Sequence, residues 1–157
     1  MQRHSIFLRL LKNYLARMRT SINKSKLVML IVDDNMRFVE RMIGLLDDAK
    51  NIGYINVAND YQEATRIIDE ERPDVILLDI NLPGKNGIEI LKLIRNSGNP
   101  SHVIMVTNHA DEYYRAQCEE IGADYFLDKS NDFSKVPGII SSLGSYIPGK
   151  HSPGNRS

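Results

Sequence analysis

Asp74-Val75-Ile76-Leu77-Leu78-Asp79-Ile80-Asn81-Leu82-Pro83-Gly84 is the stretch that decides the fold. Its apolar core, Val75 to Leu78, does not alternate with polar residues, so neither face of the segment is meant for water. A strand buried on both faces reads this way, and such strands belong to parallel sheets covered by helices. Pro73 stands just ahead and stops the helix before it. Asp79 closes the strand, and a Pro/Gly loop over residues 81–87 follows.

The same alternation repeats on both sides of this segment. Upstream, Lys26-Leu27-Val28-Met29-Leu30-Ile31-Val32 is another apolar run, and Met36, Val39, Ile43 and Leu46 follow it at helical spacing. Tyr54-Ile55-Asn56-Val57-Ala58 predicts a second strand, and residues 60–71 a second helix. Downstream, Ile88 to Ile94 opens a third helix and His102 to Val106 makes strand four. Ala110, Tyr114, Cys118 and Ile121 share one face of a fourth helix, on which Cys118 reads as a small buried hydrophobe. Ala123 to Leu127 predicts strand five. Phe133, Val136, Ile140, Leu143 and Ile147 predict a last helix. Five β/α units in strict alternation imply an α/β fold, with one parallel sheet and helices on both faces.

In such sheets the ligand crevice lies at the carboxyl ends of the strands. Strand one ends in Asp33-Asp34, strand three in Asp79 and strand four in Thr107, and strand five runs into Lys129. Each has a plainer reading alone: the acidic pair as a helix cap, Asp79 as a turn residue, Lys129 as a surface lysine. Together they crowd three carboxylates and one ammonium onto one edge. Like-charge repulsion there raises a carboxylate pKa unless a cation is present. Oxygen ligands with retained waters suit Mg²⁺, which takes one or two carboxylates alongside phosphate oxygens.

These pieces resemble the receiver domains of two-component response regulators. The resemblance rests on Val32-Asp33-Asp34-Asn35, on Leu77-Leu78-Asp79-Ile80-Asn81-Leu82-Pro83-Gly84 with Gly87-Ile88-Glu89, on Val106-Thr107, and on Gly122-Ala123-Asp124-Tyr125-Phe126-Leu127-Asp128-Lys129. It covers about residues 27–147, and its strength is that every piece falls in order at a strand end. It implies a flavodoxin-like, doubly wound five-stranded sheet in the order 2-1-3-4-5 with five flanking helices. It also implies roles. Asp79 is then the phosphoacceptor, attacking the phosphorus of a histidine kinase's phosphohistidine. Asp34, Asp79 and the main-chain carbonyl of Asn81 hold Mg²⁺, with Asp33 acting through a water. Thr107 and Lys129 each engage a phosphoryl oxygen. Phe126 is the aromatic that turns inward as Thr107 moves, although its alternation suits plain core equally well. Phosphoryl transfer asks mainly for positioned cations and donors, and an ionised carboxylate needs no general base.

Two positions depart from that pattern. Ser130 stands where receivers commonly have a proline with a cis bond, and a cis non-proline bond costs about 2.5–4 kcal/mol, so the loop after strand five needs another geometry. Asn108 replaces the usual small residue after Thr107, and His109 follows, which predicts slow gain and loss of phosphate. A metal-dependent phosphohydrolase with an aspartyl nucleophile is the rival reading, because Leu78-Asp79-Ile80-Asn81 superficially resembles that family's opening motif. Those enzymes want an aspartate at the position of Asn81 as general acid. A receiver fold used only as a binding module is disfavoured, since every chemical residue is present.

Of the 157 residues 42% are hydrophobic, and one cysteine excludes a disulfide framework or a Cys-based zinc site. The formal net charge of zero hides a split. Residues 1–26 carry seven basic residues and no acid, leaving 13 basic and 20 acidic residues, net −7, in residues 27–157. The leader 1–26 is basic and amphipathic: Phe7, Leu10, Leu11, Tyr14, Leu15 and Met18 recur at helical steps. Its apolar runs are too short for a secretory signal or a membrane span. It is either a plain extension or a segment that docks on a membrane or a partner. Residues 148–157 read as a frayed tail. The sequence thus predicts a cytoplasmic, stand-alone switch fed by a histidine kinase or phosphotransfer protein. Its signal is expected to leave through the face of helix four, strand five and helix five, with no direct nucleic-acid contact.

Overall fold

The computed structural model describes residues 7–15, 18, 26–108 and 110–144. Five parallel strands, β1 (Leu27–Val32), β2 (Ile52–Ala58), β3 (Val75–Leu78), β4 (His102–Thr107) and β5 (Tyr125–Asp128), form one sheet in the order β2-β1-β3-β4-β5. The α/β, flavodoxin-like expectation therefore holds. The body helices are α1 (Met36–Leu45), α2 (Tyr61–Glu71), α3 (Gly87–Asn96), α4 (Glu112–Ile121) and α5 (Val136–Ser142).

The sheet has a core on each face. On one, Ala64, Ile67 and Ile68 of α2, Ile90 and Leu91 of α3 and Cys118 of α4 pack on Leu30, Ile76 and Met105. On the other, Phe38, Val39 and Met42 of α1 and Val136 and Ile140 of α5 pack on Met29, Leu77 and Ile104. β3 is buried throughout, as its uninterrupted apolar run requires.

The helices start where the sequence supplies caps. The side chains of Asn35, Asp60, Asn86 and Asp111 accept from Phe38 N, Glu63 N, Ile88 N and Tyr114 N, each satisfying an amide that has no partner inside its helix. Two differences from the sequence reading stand out. The buried face of α1 is Phe38, Val39 and Met42, running on to Leu46, whereas Met36 and Ile43 are exposed. The last helix opens with a 3-10 turn at Phe133–Lys135 rather than as one continuous helix. The leader is helical over residues 7–15, in line with the helical spacing of its apolar residues, and this helix is additional to the five that flank the sheet. Ile147 and the tail 148–157 lie outside the described residues. Among the described residues no helix is long and apolar enough to cross a membrane.

Candidate functional site

β1 and β3 are adjacent and in register, Val32 beside Leu78, so the residues that follow them emerge side by side. The backbone extends the ladder by one step: Asp79 N donates to Val32 O at 3.0 Å, and Asp33 N to Ala58 O at 3.0 Å. On the far side of β4, Lys129 N donates to Thr107 O at 3.0 Å. Strand polarity and pairing thus deliver Asp33, Asp79, Thr107 and Lys129 to one edge, as the sequence implies.

The side chains then converge. Lys129 Nζ lies 2.6 Å from Asp33 Oδ2 and 3.0 Å from Asp79 Oδ2, with all three groups buried. The Phe38 ring lies beneath the ammonium, 4.5 Å from its centroid. The second oxygens are oriented by the chain itself: Asp33 Oδ1 accepts from Asn35 N at 2.9 Å and Asp79 Oδ1 from Asn81 N at 3.2 Å. Asp34 is exposed at the mouth, and one carboxylate oxygen from each of Asp33, Asp34 and Asp79 can be chosen so that all lie within 4.8 Å of one another.

Electrostatically the cluster is short of positive charge. Burial pushes the Asp79 carboxyl above its ordinary range, and the neighbouring Asp33 charge pushes the same way. Lys129 and the Asn81 amide pull it back without cancelling the rise. Burial lowers the Lys129 ammonium, but its hydrogen bonds to Asp33 and Asp79 outweigh that, and the net direction is up. Three clustered carboxylates facing one ammonium suit a hard divalent cation: the oxygens are close enough to share one ion, and a second positive charge relieves the repulsion.

Thr107 is buried at the end of β4. Strand alternation puts it on the same sheet face as Met105, whose register partner is Phe126. Phe126 is buried in the core on that face, with the Arg115 guanidinium 4.9 Å from its ring centroid and Arg115 Nη1 donating to its carbonyl at 3.2 Å. Asn81 contributes its amide to Asp79, and its side chain is exposed. Asn108 is exposed beside Thr107, while His109 lies outside the described residues. Cys118 is fully buried, and burial lifts its thiol to about 11, which leaves it an inert packing residue.

The loop after β5 solves the missing-proline problem without a cis bond: none occurs among the described residues. Asp128 Oδ1 instead accepts from Ser130 N at 2.8 Å and Asn131 N at 2.9 Å, and Asp132 Oδ2 accepts from Asp128 N at 2.9 Å. Asp128 and Asp132 flanking Ser130-Asn131 were the available signal for such a turn. Two residues have roles that the sequence reading did not assign. A Cβ on Gly87 would stand 1.9 Å from the Asp79 carbonyl oxygen, so only glycine lets α3 begin this close to Asp79. Phe38, which the periodicity passed over, carries the ring under Lys129.

The family model for the response regulator receiver domain matches residues 29–141, most of the chain and every one of these site residues. The chain belongs to the response regulator receiver family. This receiver is 27% identical over 133 residues to the transcriptional regulatory protein DegU of Brevibacillus brevis, covering 83% of this chain and 56% of that protein. It is 38% identical over 102 residues to a protein-glutamate methylesterase/protein-glutamine glutaminase of Idiomarina loihiensis, covering 64% and 26%. The chain therefore spans between about a quarter and just over half of the curated relatives it matches. Among solved structures, the response regulator domain of Thermotoga maritima CheB superposes with a TM-score of 0.66 at 30% identity, covering 75% of this chain and 92% of that one. The Francisella response regulator 1452 receiver domain gives 0.69 at 22% identity, covering 75% and 96%.

Proposed function

We propose that this receiver is the phosphoacceptor switch of a two-component relay, with Asp79 taking a phosphoryl group from the phosphohistidine of a histidine kinase or phosphotransfer protein. The observation that carries the reading is Asp79 at the end of β3, held 3.0 Å from Lys129 and clustered with Asp33 and Asp34. A carboxylate oxygen of Asp79 forms the new O–P bond as the N–P bond breaks, and the electron pair leaves on the imidazole nitrogen. Lys129 supplies an ammonium where charge spreads over the phosphoryl oxygens, and the Thr107 hydroxyl supplies a donor. Asp33, Asp34, Asp79 and the Asn81 carbonyl are the residues that would hold Mg²⁺. Once bound, Mg²⁺ neutralises charge on the acids and on the transferred group.

Output follows from the shared face of Thr107 and Phe126: a Thr107 drawn toward the phosphoryl group changes the space beside the Phe126 ring. The surface above it, α4-β5-α5, exposes Tyr113 and Tyr125 to a downstream protein. The acidic body is a poor match for nucleic acid, and a relay of this kind would work in the cytoplasm. Exposed Asn108 beside Thr107 hinders water and predicts a long-lived phosphoryl state. A half-life of seconds in Mg²⁺ would contradict that.

Acetyl phosphate labelling and beryllofluoride titration with Mg²⁺, on wild type and Asp79→Asn, test the central reading. Wild type responds and the variant does not; an equal response in both overturns it. The phosphohydrolase alternative needs an acid where Asn81 stands. Steady turnover of a phosphate monoester by the pure protein is the result that would revive it.

A further inference from the structure

Receiver chemistry leaves the leader without a task. Residues 7–15 are helical, and the large apolar side chains there are uncovered by the body, with Phe7 61%, Leu10 62% and Tyr14 58% exposed. Leu8, Leu11, Leu15 and the helical Met18 are exposed as well. At ~100° per residue these seven fall within an arc of roughly 160°. Arg9, Lys12 and Asn13 occupy the opposite arc. A wide apolar stripe opposite a cationic one, on a segment too short to span a bilayer, is the form of a helix that lies in a membrane interface.

Charge selects the occupant. Residues 1–26 carry seven basic residues and no acid, so two leaders repel each other and a second copy is a poor cover for this face. The body, at −7, offers an anionic surface, yet the apolar stripe of the helix is exposed rather than buried. A phosphate-rich lipid surface satisfies both stripes at once, with the apolar one in the acyl boundary and the cations among the headgroups. We propose that the helix around residues 7–15 binds the full chain in the plane of an anionic lipid bilayer. The acidic body is repelled by the same surface, so the leader is the contacting part and the phosphoacceptor edge stays open to its donor.

The full chain is tested by co-sedimentation with vesicles of phosphatidylcholine alone and of phosphatidylcholine mixed with phosphatidylglycerol. Wild type pellets with the mixed vesicles and not with the neutral ones, and added salt weakens the binding. Arg9→Gln and Lys12→Gln each weaken it about fivefold. Leu11→Glu weakens it at least tenfold, since it places a charge in the apolar stripe. Because Leu11 is exposed, this variant keeps the wild-type thermal midpoint and beryllofluoride response. Equal pelleting with both vesicle types, or with neither, overturns the proposal. So does light scattering that finds a dimer abolished by Leu11→Glu while vesicles are ignored, because a second copy would then be the occupant.

Discussion

Acids stand at both ends of this sheet, and the two ends use them differently. At the amino edge Asp74 precedes β3 and Asp124 precedes β5 in the same posture. Asp74 N donates to Val28 O at 2.8 Å and its Oδ2 accepts from Val28 N at 2.7 Å. Asp124 N donates to Val103 O at 2.9 Å and its Oδ2 accepts from Val103 N at 2.8 Å. Each bridges to the second residue of a neighbouring strand and satisfies an amide at the start of the ladder. At the carboxyl edge Asp33 and Asp79 also meet amides, but of their own loops two residues on, and their other oxygens share one ammonium. Asp74 and Asp124, ahead of their strands, close the sheet, whereas Asp33 and Asp79, behind theirs, gather around one ammonium.

The largest break in that contrast is predicted for Gly87→Ala. The added methyl has to displace the Asp79 carbonyl or the start of α3, and the Gly87 N to Ile80 O bond of 2.7 Å holds the loop in place. Urea unfolding should register a loss of about 3 kcal/mol, together with a weakened beryllofluoride response. A wild-type midpoint and response would mean the approach is not binding on the site. Next comes the amino edge. Arg95 donates to Gly122 O at 2.8 Å, to Asn99 O at 3.2 Å and to Ser101 O at 2.9 Å, and pairs with Asp124 at 3.0 Å. Arg95→Ala is expected to cost about 2 kcal/mol and to leave Mg²⁺-dependent beryllofluoride binding unchanged. A loss of that binding would show that the two edges are coupled.

Phe38→Leu probes the carboxyl edge with a smaller effect. The ring lies under Lys129 and meets Phe133 edge-on at 5.8 Å between centroids, and Arg41 stacks 4.7 Å from the Phe133 centroid. Leucine keeps the apolar volume and loses the π face, an expected cost of about 1 kcal/mol. Since the ring steadies the ammonium, labelling by acetyl phosphate should slow, whereas Phe38→Tyr should retain most of the rate. Equal rates for all three would assign Phe38 to packing alone.

The sheet and its charged edge were legible because both depend on local pattern. Val75 to Leu78 reads as a strand buried on both faces, and parallel pairing then sends Asp33, Asp79 and Lys129 to the same end. The rotation of α1 was not legible. Met36 and Ile43 offer one apolar stripe and Phe38 and Met42 another, and the choice is made by the sheet and by the distant Phe133 and Lys129. Gly87 reads as one more loop glycine until the Asp79 carbonyl is placed against it. The turn after β5 was misleading because the proline was sought, while the Asp128 carboxylate does the turning.

The most direct test of the contrast carries the smallest expected change in stability. Asp74 and Asp79 are both held above the ordinary carboxyl value of 3.8, and burial is the leading cause in each. For Asp74 the Val28 amide and the His102 charge work against the rise, whereas for Asp79 the Asp33 charge adds to it. A raised folded-state pKa contributes stability that is complete below the unfolded value and lost as pH rises through the folded one. At neutral pH without metal both ionised carboxylates therefore weaken the fold. Asp79→Asn removes a repelled charge and is expected to raise the thermal midpoint by about 3 °C. Mg²⁺ should stabilise wild type and reverse that order. Asp74→Asn keeps an oxygen for Val28 N but gives up the attraction to His102, so its midpoint should move less and ignore Mg²⁺. Melting curves between pH 5 and 8, with and without Mg²⁺, decide the matter. If Asp79→Asn melts below wild type without metal, the carboxyl edge is as closed as the amino edge, and its acids are structural too.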